Sequence, residues 1–201
     1  MSASMSRGQL LARSAIGGAT LFVGVSALTP FVEAASADAL PSSDLAYARL
    51  LVGAELLGVD FYSQATAAAN AGPSVAWYLK RALANEKDHY ASVSQILSGA
   101  GLTPAVADDI DFSYPAGTFG SQGSIVKFAR QLEETMLGAY LGALSGVQTS
   151  SLKGALGRIA ASEAQHAAYF TSALGGKTFD SSFPSALTIE QASNAFDAYT
   201  A

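Results

Sequence analysis

The two histidines of the chain each follow a glutamate by three residues, giving the pairs Glu86/His89 and Glu163/His166. Residues three apart on an α-helix lie on the same face, so each pair can bring a carboxylate and an imidazole to one point. A single such pair is usually a solvated contact on a helix surface. Two pairs on helices that face each other are the arrangement by which helical bundles hold two metal ions in their core.

Two further glutamates stand where such a bundle needs them. Glu55 precedes the glutamate of the first pair by 31 residues, and Glu133 precedes that of the second pair by 30. Each is followed seven residues later by a tyrosine, Tyr62 in the first half and Tyr140 in the second. A duplicated helical hairpin would produce this repeat. The predicted metal ligands are Glu55, Glu86, His89, Glu133, Glu163 and His166.

The face of the third helix distinguishes Glu133 from its neighbour Glu134. Glu133 shares a helical stripe with the apolar or aromatic residues Met136 and Tyr140, whereas Glu134 shares a mixed stripe with Arg130. A ligand must lie on the apolar face that points into the core. Glu133 is therefore predicted to bind metal, and Glu134 stays open as a supporting or surface acid.

The predicted ligand set suits a pair of redox-active metal ions. Four carboxylates and two imidazoles favour two iron ions, with manganese as the alternative. Without metal, four glutamates in a core would repel one another and lose their solvation. Two divalent cations offset four carboxylate charges, so inward-pointing glutamates indicate metal binding. Zinc usually takes fewer ligands per ion and does no redox chemistry.

Composition and charge exclude several classes of protein. The 201 residues suffice for one domain with a sizeable core. A net charge of −5 with no basic patch argues against nucleic-acid binding. The chain has no cysteine, which excludes disulfides, thiolate metal sites such as a rubredoxin-like centre, and cysteine-linked lipid anchors.

Residues 1–37 have the three-part pattern of an export signal. Arg7 and Arg13 give a positive start, residues 15–28 form an apolar run, and a small-residue stretch ends at Ala37. The run is shorter than the roughly 20 residues that span a bilayer, so no stable transmembrane span is expected. The signal is predicted to place the domain in the periplasm, the cell wall or the extracellular space, and a retained anchor helix is the alternative.

The export route stays open. Residues 6–11 are similar to a twin-arginine signal, but Gly8 stands where the second arginine would be. Cleavage is expected after Ala34 or Ala37.

Residues 42–176 predict four long helices. The first opens at a capping cluster formed by residues 42–44, and the short turn that follows it makes the second helix antiparallel. Residues 100–122, rich in proline and glycine, form one long crossover between the second and third helices. The predicted helices cover residues 42–69, 73–98, 121–147 and 150–175.

Residues 177–201 predict a tail that docks on the bundle. Thr188 and Gln191 have the spacing of a capping box that opens a short helix. Its apolar contacts are predicted to come from Phe183, Leu187, Ile189 and Phe196.

Several aromatic residues follow the predicted ligands closely. Tyr62, Tyr90, Tyr140 and Tyr169 are predicted to pack in the core around the site, and hydrogen bonding to ligands or electron relay is the alternative. Trp77, near the start of the second helix, is predicted to pack there.

The sequence resembles the ferritin-like di-iron carboxylate superfamily over roughly residues 44–175. The segment Gly53–Tyr62, the motif Glu163–His166 and the Phe-Pro tail are similar to bacterial ferritin-like-domain proteins, a group that includes plant desiccation-related proteins. This resemblance implies an all-α, ferritin-like four-helix bundle with one long crossover and a docked C-terminal segment. It also implies roles, with Glu55 and Glu133 as terminal ligands and the other two glutamates as bridges between the ions.

The resemblance further implies an activity. Superfamily members oxidise ferrous iron with dioxygen or peroxide, reduce or disproportionate peroxide, or hydroxylate substrates. The chain is therefore expected to be an exported dinuclear metal protein, with ferroxidase-like oxidation of iron or handling of peroxide or oxygen. The alternatives are a desiccation- or stress-protective metal binder without turnover and a metal-free structural scaffold. The oligomeric state and the native metal stay open.

Overall fold

The protein is all-α over the residues that the structure, a computed structural model, describes: 40–68, 70–177 and 182–200. The predicted export segment lies outside these residues. The described part contains one isolated antiparallel bridge, between Phe112 and Thr200, and no strand. The helices are α1 (Ser42–Ala67), α2 (Pro73–Gly99), α3 (Gln122–Gly146), α4 (Ser150–Ala173) and α5 (Ile189–Asp197), with a 3₁₀ turn at Ala107–Asp109. None of the described helices is long and apolar enough to cross a membrane.

The four long helices form two hairpins that pack into one bundle. Helix α1 packs along α2, and α3 packs along α4, while α1–α3 and α2–α4 contacts join the hairpins. Pro73 suits the first turn of α2 after the short α1–α2 turn, and a Ser121 capping box opens α3 after the long link. The predicted helical bundle is confirmed.

The link between α2 and α3 runs along the length of the bundle. Its first part is held where the Tyr90 hydroxyl donates to the Ala105 carbonyl at 2.8 Å. Its last part reaches the α1–α2 turn, where the Asn70 amide donates to the Phe119 carbonyl at 3.1 Å. Because the link returns the chain to that end, α3 runs parallel to α2. The predicted long crossover is confirmed.

The carboxylate of Asp44 joins the first helix to the α3–α4 turn. Its two oxygens accept the backbone N–H groups of Gln148 and Thr149, each at 2.8 Å, and its side chain is buried. Helix α1 has Pro41 at its N-cap, without a side-chain capping bond. The prediction that residues 42–44 cap this helix is wrong, because the Asp44 carboxylate instead accepts hydrogen bonds from a turn about a hundred residues later.

Replacing Asp44 with alanine is expected to lower the free energy of unfolding by about 1–3 kcal/mol, since two backbone N–H groups lose their buried acceptor. Burial opposes ionisation of Asp44, but hydrogen bonds from Thr149 and Gln148 outweigh it and lower the pKa below the ordinary 3.8. A lowered folded-state pKa contributes stability at neutral pH that is lost as the pH falls through it. Urea unfolding at pH 7 and pH 3 should therefore show a smaller difference at pH 3. The exposed acid Asp88 is the control, and equal loss from Asp88→Ala would contradict the prediction.

The C-terminal tail docks against α1 and α3. The backbone N–H of Leu187 donates to the Gly138 carbonyl at 2.8 Å, and Phe196 of α5 is buried. The capping box predicted at the start of α5 is present. A side chain at Gly142 would collide with the Leu187 carbonyl oxygen, so the close approach of the tail requires glycine there.

Gly142→Ala is expected to displace the tail and to destabilise the fold by about 1–3 kcal/mol, because the clash is with backbone. Hydrogen exchange over residues 182–200 should accelerate in this variant. Gly154 in α4 has open space around its Cβ position, so Gly154→Ala should stabilise by about 0.5–1 kcal/mol and leave that exchange unchanged. Unaltered protection of the tail in Gly142→Ala would refute the docking argument.

Two aromatic residues lie on the surface, contrary to prediction. Phe183 is 88% exposed and Trp77 is 66% exposed. The tail docks through Leu187 and Phe196. Val75 and Leu79 mark the buried face of α2. Trp77 lies two residues from each of them, on the outer face of the helix.

Candidate metal centre

The six predicted ligand residues converge in the middle of the bundle. Helix α1 supplies one glutamate, α3 supplies another, and α2 and α4 each supply a glutamate and a histidine one turn apart. The four glutamate side chains have no exposed surface. The His166 side chain is 3% exposed, and that of His89 is 11% exposed, which makes His89 the part of the site nearest to solvent.

The side chains form two overlapping groups that could each hold a metal ion, with ligand atoms within 4.8 Å of one another. The first group consists of Glu55, Glu86, His89 and Glu163. The second consists of Glu86, Glu133, Glu163 and His166. Each group has three carboxylates and one imidazole. Glu86 and Glu163 belong to both groups, so each lies where one carboxylate can reach two ions.

Both imidazoles turn their Nδ1 atom toward the carboxylates. The Nδ1 atom of His89 lies 2.9 Å from Glu163 Oε1, 3.7 Å from Glu55 Oε2 and 3.8 Å from Glu86 Oε2. The Nδ1 atom of His166 lies 3.2 Å from Glu86 Oε1, 3.4 Å from Glu133 Oε1 and 3.6 Å from Glu163 Oε2. Each ring therefore faces three carboxylates at once.

Most of these polar atoms have no hydrogen-bond partner. Among the described residues, the unpartnered buried atoms of the site are Glu55 Oε2, both oxygens of Glu86, His89 Nδ1, Glu133 Oε2, both oxygens of Glu163, and His166 Nδ1. Even the 2.9 Å contact between His89 and Glu163 lacks hydrogen-bond geometry. Buried polar atoms are nearly always paired, so this many at one place indicates a missing partner. Divalent cations fit, because oxygen and imidazole donors are the ligands that iron and manganese take.

Two buried tyrosines hold the outer glutamates in a crossed arrangement. The Tyr62 hydroxyl of α1 donates to Glu133 of α3, and the Tyr140 hydroxyl of α3 donates to Glu55 of α1. Each tyrosine thus bonds the glutamate of the opposite hairpin. One oxygen of each carboxylate is fixed by a phenol, and the other oxygen remains for a metal ion.

Asn85 is a residue of the site that sequence analysis missed. Its side-chain amide lies 2.9 Å from Nε2 of His166, across the α2–α4 interface. This contact holds the ring with Nδ1 directed at the carboxylates. Asn85 directly precedes Glu86, but the matching position before Glu163 is Ser162, so the internal repeat gave no signal for it.

The site divides its carboxyl groups electrostatically. Burial favours the neutral form of Glu86, but contacts with His166 and His89 outweigh burial and lower its pKa to about 2. Burial and repulsion from Glu86 raise the pKa of both Glu55 and Glu163 well above the ordinary value.

The facing carboxylates favour the protonated form of both imidazoles in the metal-free site. Burial lowers the pKa of each histidine, but the facing carboxylates outweigh burial and raise the pKa of His89 and of His166 above the ordinary value. A metal ion that binds must therefore displace protons from the site.

Glu133 and Glu134 differ in burial, since they lie on different faces of α3. Glu133 is fully buried in the second group of ligands. The side chain of Glu134 is 48% exposed and forms a 2.6 Å ion pair with Arg130, one turn earlier on α3. The structure thus puts Glu134 outside the site.

A four-helix bundle with two carboxylate–histidine groups in its core defines a class of helical metal-site proteins. The ferritin-like domain family matches residues 43–176, a span that includes all six candidate ligands. The chain belongs to this family. A search of curated proteins finds no match.

Proposed function

We propose that the protein binds two divalent ions through its six core residues and uses them to oxidise ferrous iron or to react with peroxide or dioxygen. Iron is the proposed metal, and manganese is the alternative. The observation that supports the proposal is the pair of overlapping ligand groups, whose buried oxygen and nitrogen atoms lack protein partners.

The position of each core residue indicates its proposed role. Glu86 and Glu163, shared by both groups, would bridge the ions, and each imidazole would bind one ion through Nδ1. Tyr62 and Tyr140 would orient the outer carboxylates. Bound iron or manganese would supply the one-electron chemistry. The apolar core in which the carboxylates are buried would keep bulk water from the reacting site.

We also propose that the domain is exported. The support is the sequence pattern of residues 1–37: a positive start, an apolar run and a small-residue end. The mass of the protein from a secreted or periplasmic fraction tests this proposal. A mature N-terminus following Ala34 or Ala37 is expected, and an intact chain in the cytoplasm would refute it.

Metal content of protein isolated from its native host tests the function. Two iron or manganese ions per chain are expected, followed by consumption of dioxygen or peroxide when ferrous iron is added. Bound metal without consumption would favour a stress-protective metal binder. A chain that is metal-free and refuses added ferrous iron would be a structural bundle, and the proposed function would fall.

A further inference from the structure

An aromatic path leads from the candidate metal centre to the protein surface. The ring of Tyr78 lies 5.9 Å from that of His166, centroid to centroid, and meets it edge-on at 85°. On the other side, Tyr78 lies 6.1 Å from the indole of Trp77. Trp77 is 66% exposed and is the single tryptophan of the chain. Three consecutive rings thus connect a buried ligand with solvent.

The middle of this path is a stacked pair of phenols. The rings of Tyr78 and Tyr169 lie face to face, with centroids 3.4 Å apart and planes 5° apart. Aromatic pairs usually avoid a direct face-to-face stack because their ring quadrupoles repel. A positive charge shared over two stacked rings removes this repulsion, so the pair is suited to hold the hole left when an electron departs. The Tyr169 hydroxyl is held by the Ser74 carbonyl at 3.2 Å.

The tyrosines that bond the ligands directly do not offer such an exit. Tyr62 and Tyr140 are completely buried. The rings that contact Tyr62 belong to Phe61 and Phe170, and phenylalanine is much harder to oxidise than tyrosine or tryptophan. Among the described residues, Tyr78 has ring contacts with both a candidate ligand and the exposed indole.

Two cationic residues lie near the outer end of the path. Lys80 and Arg81 are exposed and follow Trp77 by three and four residues on α2, which places them on the same helical face. The chain as a whole carries a net charge of −5, so this local pair of cations is distinctive. An anionic electron donor would be attracted here.

We propose that Trp77, Tyr78 and Tyr169 form an electron port through which an anionic one-electron reductant of the ascorbate class supplies electrons to the buried centre. The port rests on the proposed function, because it requires a redox metal beside His166. The proposed function needs such a path, because the glutamates have no exposed surface and a reductant of this size cannot contact the carboxylates directly.

With peroxide as the oxidant, the electrons donated and accepted are equal in number. Each electron passes from Trp77 through Tyr78 to the centre, and the indole N–H releases its proton to water. The reductant then returns one electron and one proton to the indole and becomes its own radical. Two such transfers supply two electrons, and with the two protons released to water they convert one peroxide to two waters, while two reductant molecules are each oxidised by one electron.

The test uses the full chain loaded with iron, freed of unbound metal by gel filtration and treated with peroxide without reductant. Peptide mass spectrometry is expected to find oxidation concentrated at Trp77, and freeze-quench EPR is expected to show a tryptophan or tyrosine radical. Ascorbate should suppress both signals. Tyr78→Phe keeps the ring and should reduce oxidation of Trp77 several-fold at unchanged iron content.

The matched control moves the tryptophan away from the path. Lys153 is exposed near the start of α4, at the opposite end of the bundle, so Lys153→Trp in a Trp77→Phe background presents an indole without the ring contacts. Equal oxidation of this indole would show diffusing radicals and overturn the port. Bound iron that consumes peroxide and leaves Trp77 intact would overturn the port alone. A chain that binds no iron would overturn the proposed function and the port together.

Discussion

Replacing Glu86 and Glu163 together by glutamine is expected to abolish metal binding. These two residues belong to both candidate ligand groups, so their loss takes two of the four ligands from each ion. Neutral amides also leave the remaining carboxylates and two cations without charge balance. Removal of supporting groups around metal sites typically costs about 10–100-fold in affinity, and loss of shared ligands should exceed that. Elemental analysis after equilibration with ferrous iron, beside circular dichroism for helix content, measures the outcome.

The matched control for this double variant is Glu134→Gln. Glu134 is an acid on α3 next to a proposed ligand, but its side chain is 48% exposed and pairs with Arg130. Its replacement should leave metal content unchanged. If the double variant retained two ions per chain, the assignment of the bridging glutamates would be refuted, and if only the control lost metal, the assignment of Glu133 over Glu134 would be refuted.

The convergence of the site was predictable because few residues were available to build it. Only two histidines occur, each with a glutamate one helical turn before it, and helix geometry alone puts the members of each pair side by side. The repeat between the chain halves then located Glu55 and Glu133. Residue patterns with a helical period therefore predicted correctly which side chains meet in the core.

Contacts between distant segments could not be read in the same way. Asp44 bonds a turn about a hundred residues later, and the capping preference of residues 42–44 contains no information on that contact. The crossed bonds from Tyr62 and Tyr140 depend on how far each hairpin is rotated toward the other. The exposure of Trp77 also depends on which side of α2 meets its neighbours, and its apolar character alone wrongly predicted burial.

Metal loading is expected to stabilise the fold, and more strongly at higher pH. A ligand at 100 times its Kd adds about 2.7 kcal/mol per site, enough for a rise in Tm of roughly 5–10 °C in a domain of this size.

The metal-free fold should weaken between pH 5 and pH 8. Raised folded-state pKa values of Glu55 and Glu163 mean that the unfolded chain loses these protons first, so their contribution to stability falls as the pH rises. The raised pKa of His166 acts in the same direction above its ordinary 6.5.

Glu163→Gln isolates this linkage in one substitution. Burial and repulsion from Glu86 raise the pKa of Glu163 well above its ordinary value and so favour its neutral form in the metal-free protein, and glutamine has nearly the same shape and no charge. The metal-free variant should therefore match the wild type at pH 5 within about 1 kcal/mol and exceed it at pH 8, since one pH-dependent proton is removed. Ferrous or manganous ions should raise the Tm of the wild type but should raise the Tm of the variant only slightly. Differential scanning calorimetry at both pH values, with and without metal under anaerobic conditions, separates these effects. A wild-type Tm that does not respond to metal at pH 8 would mean that the buried carboxylates serve the fold alone.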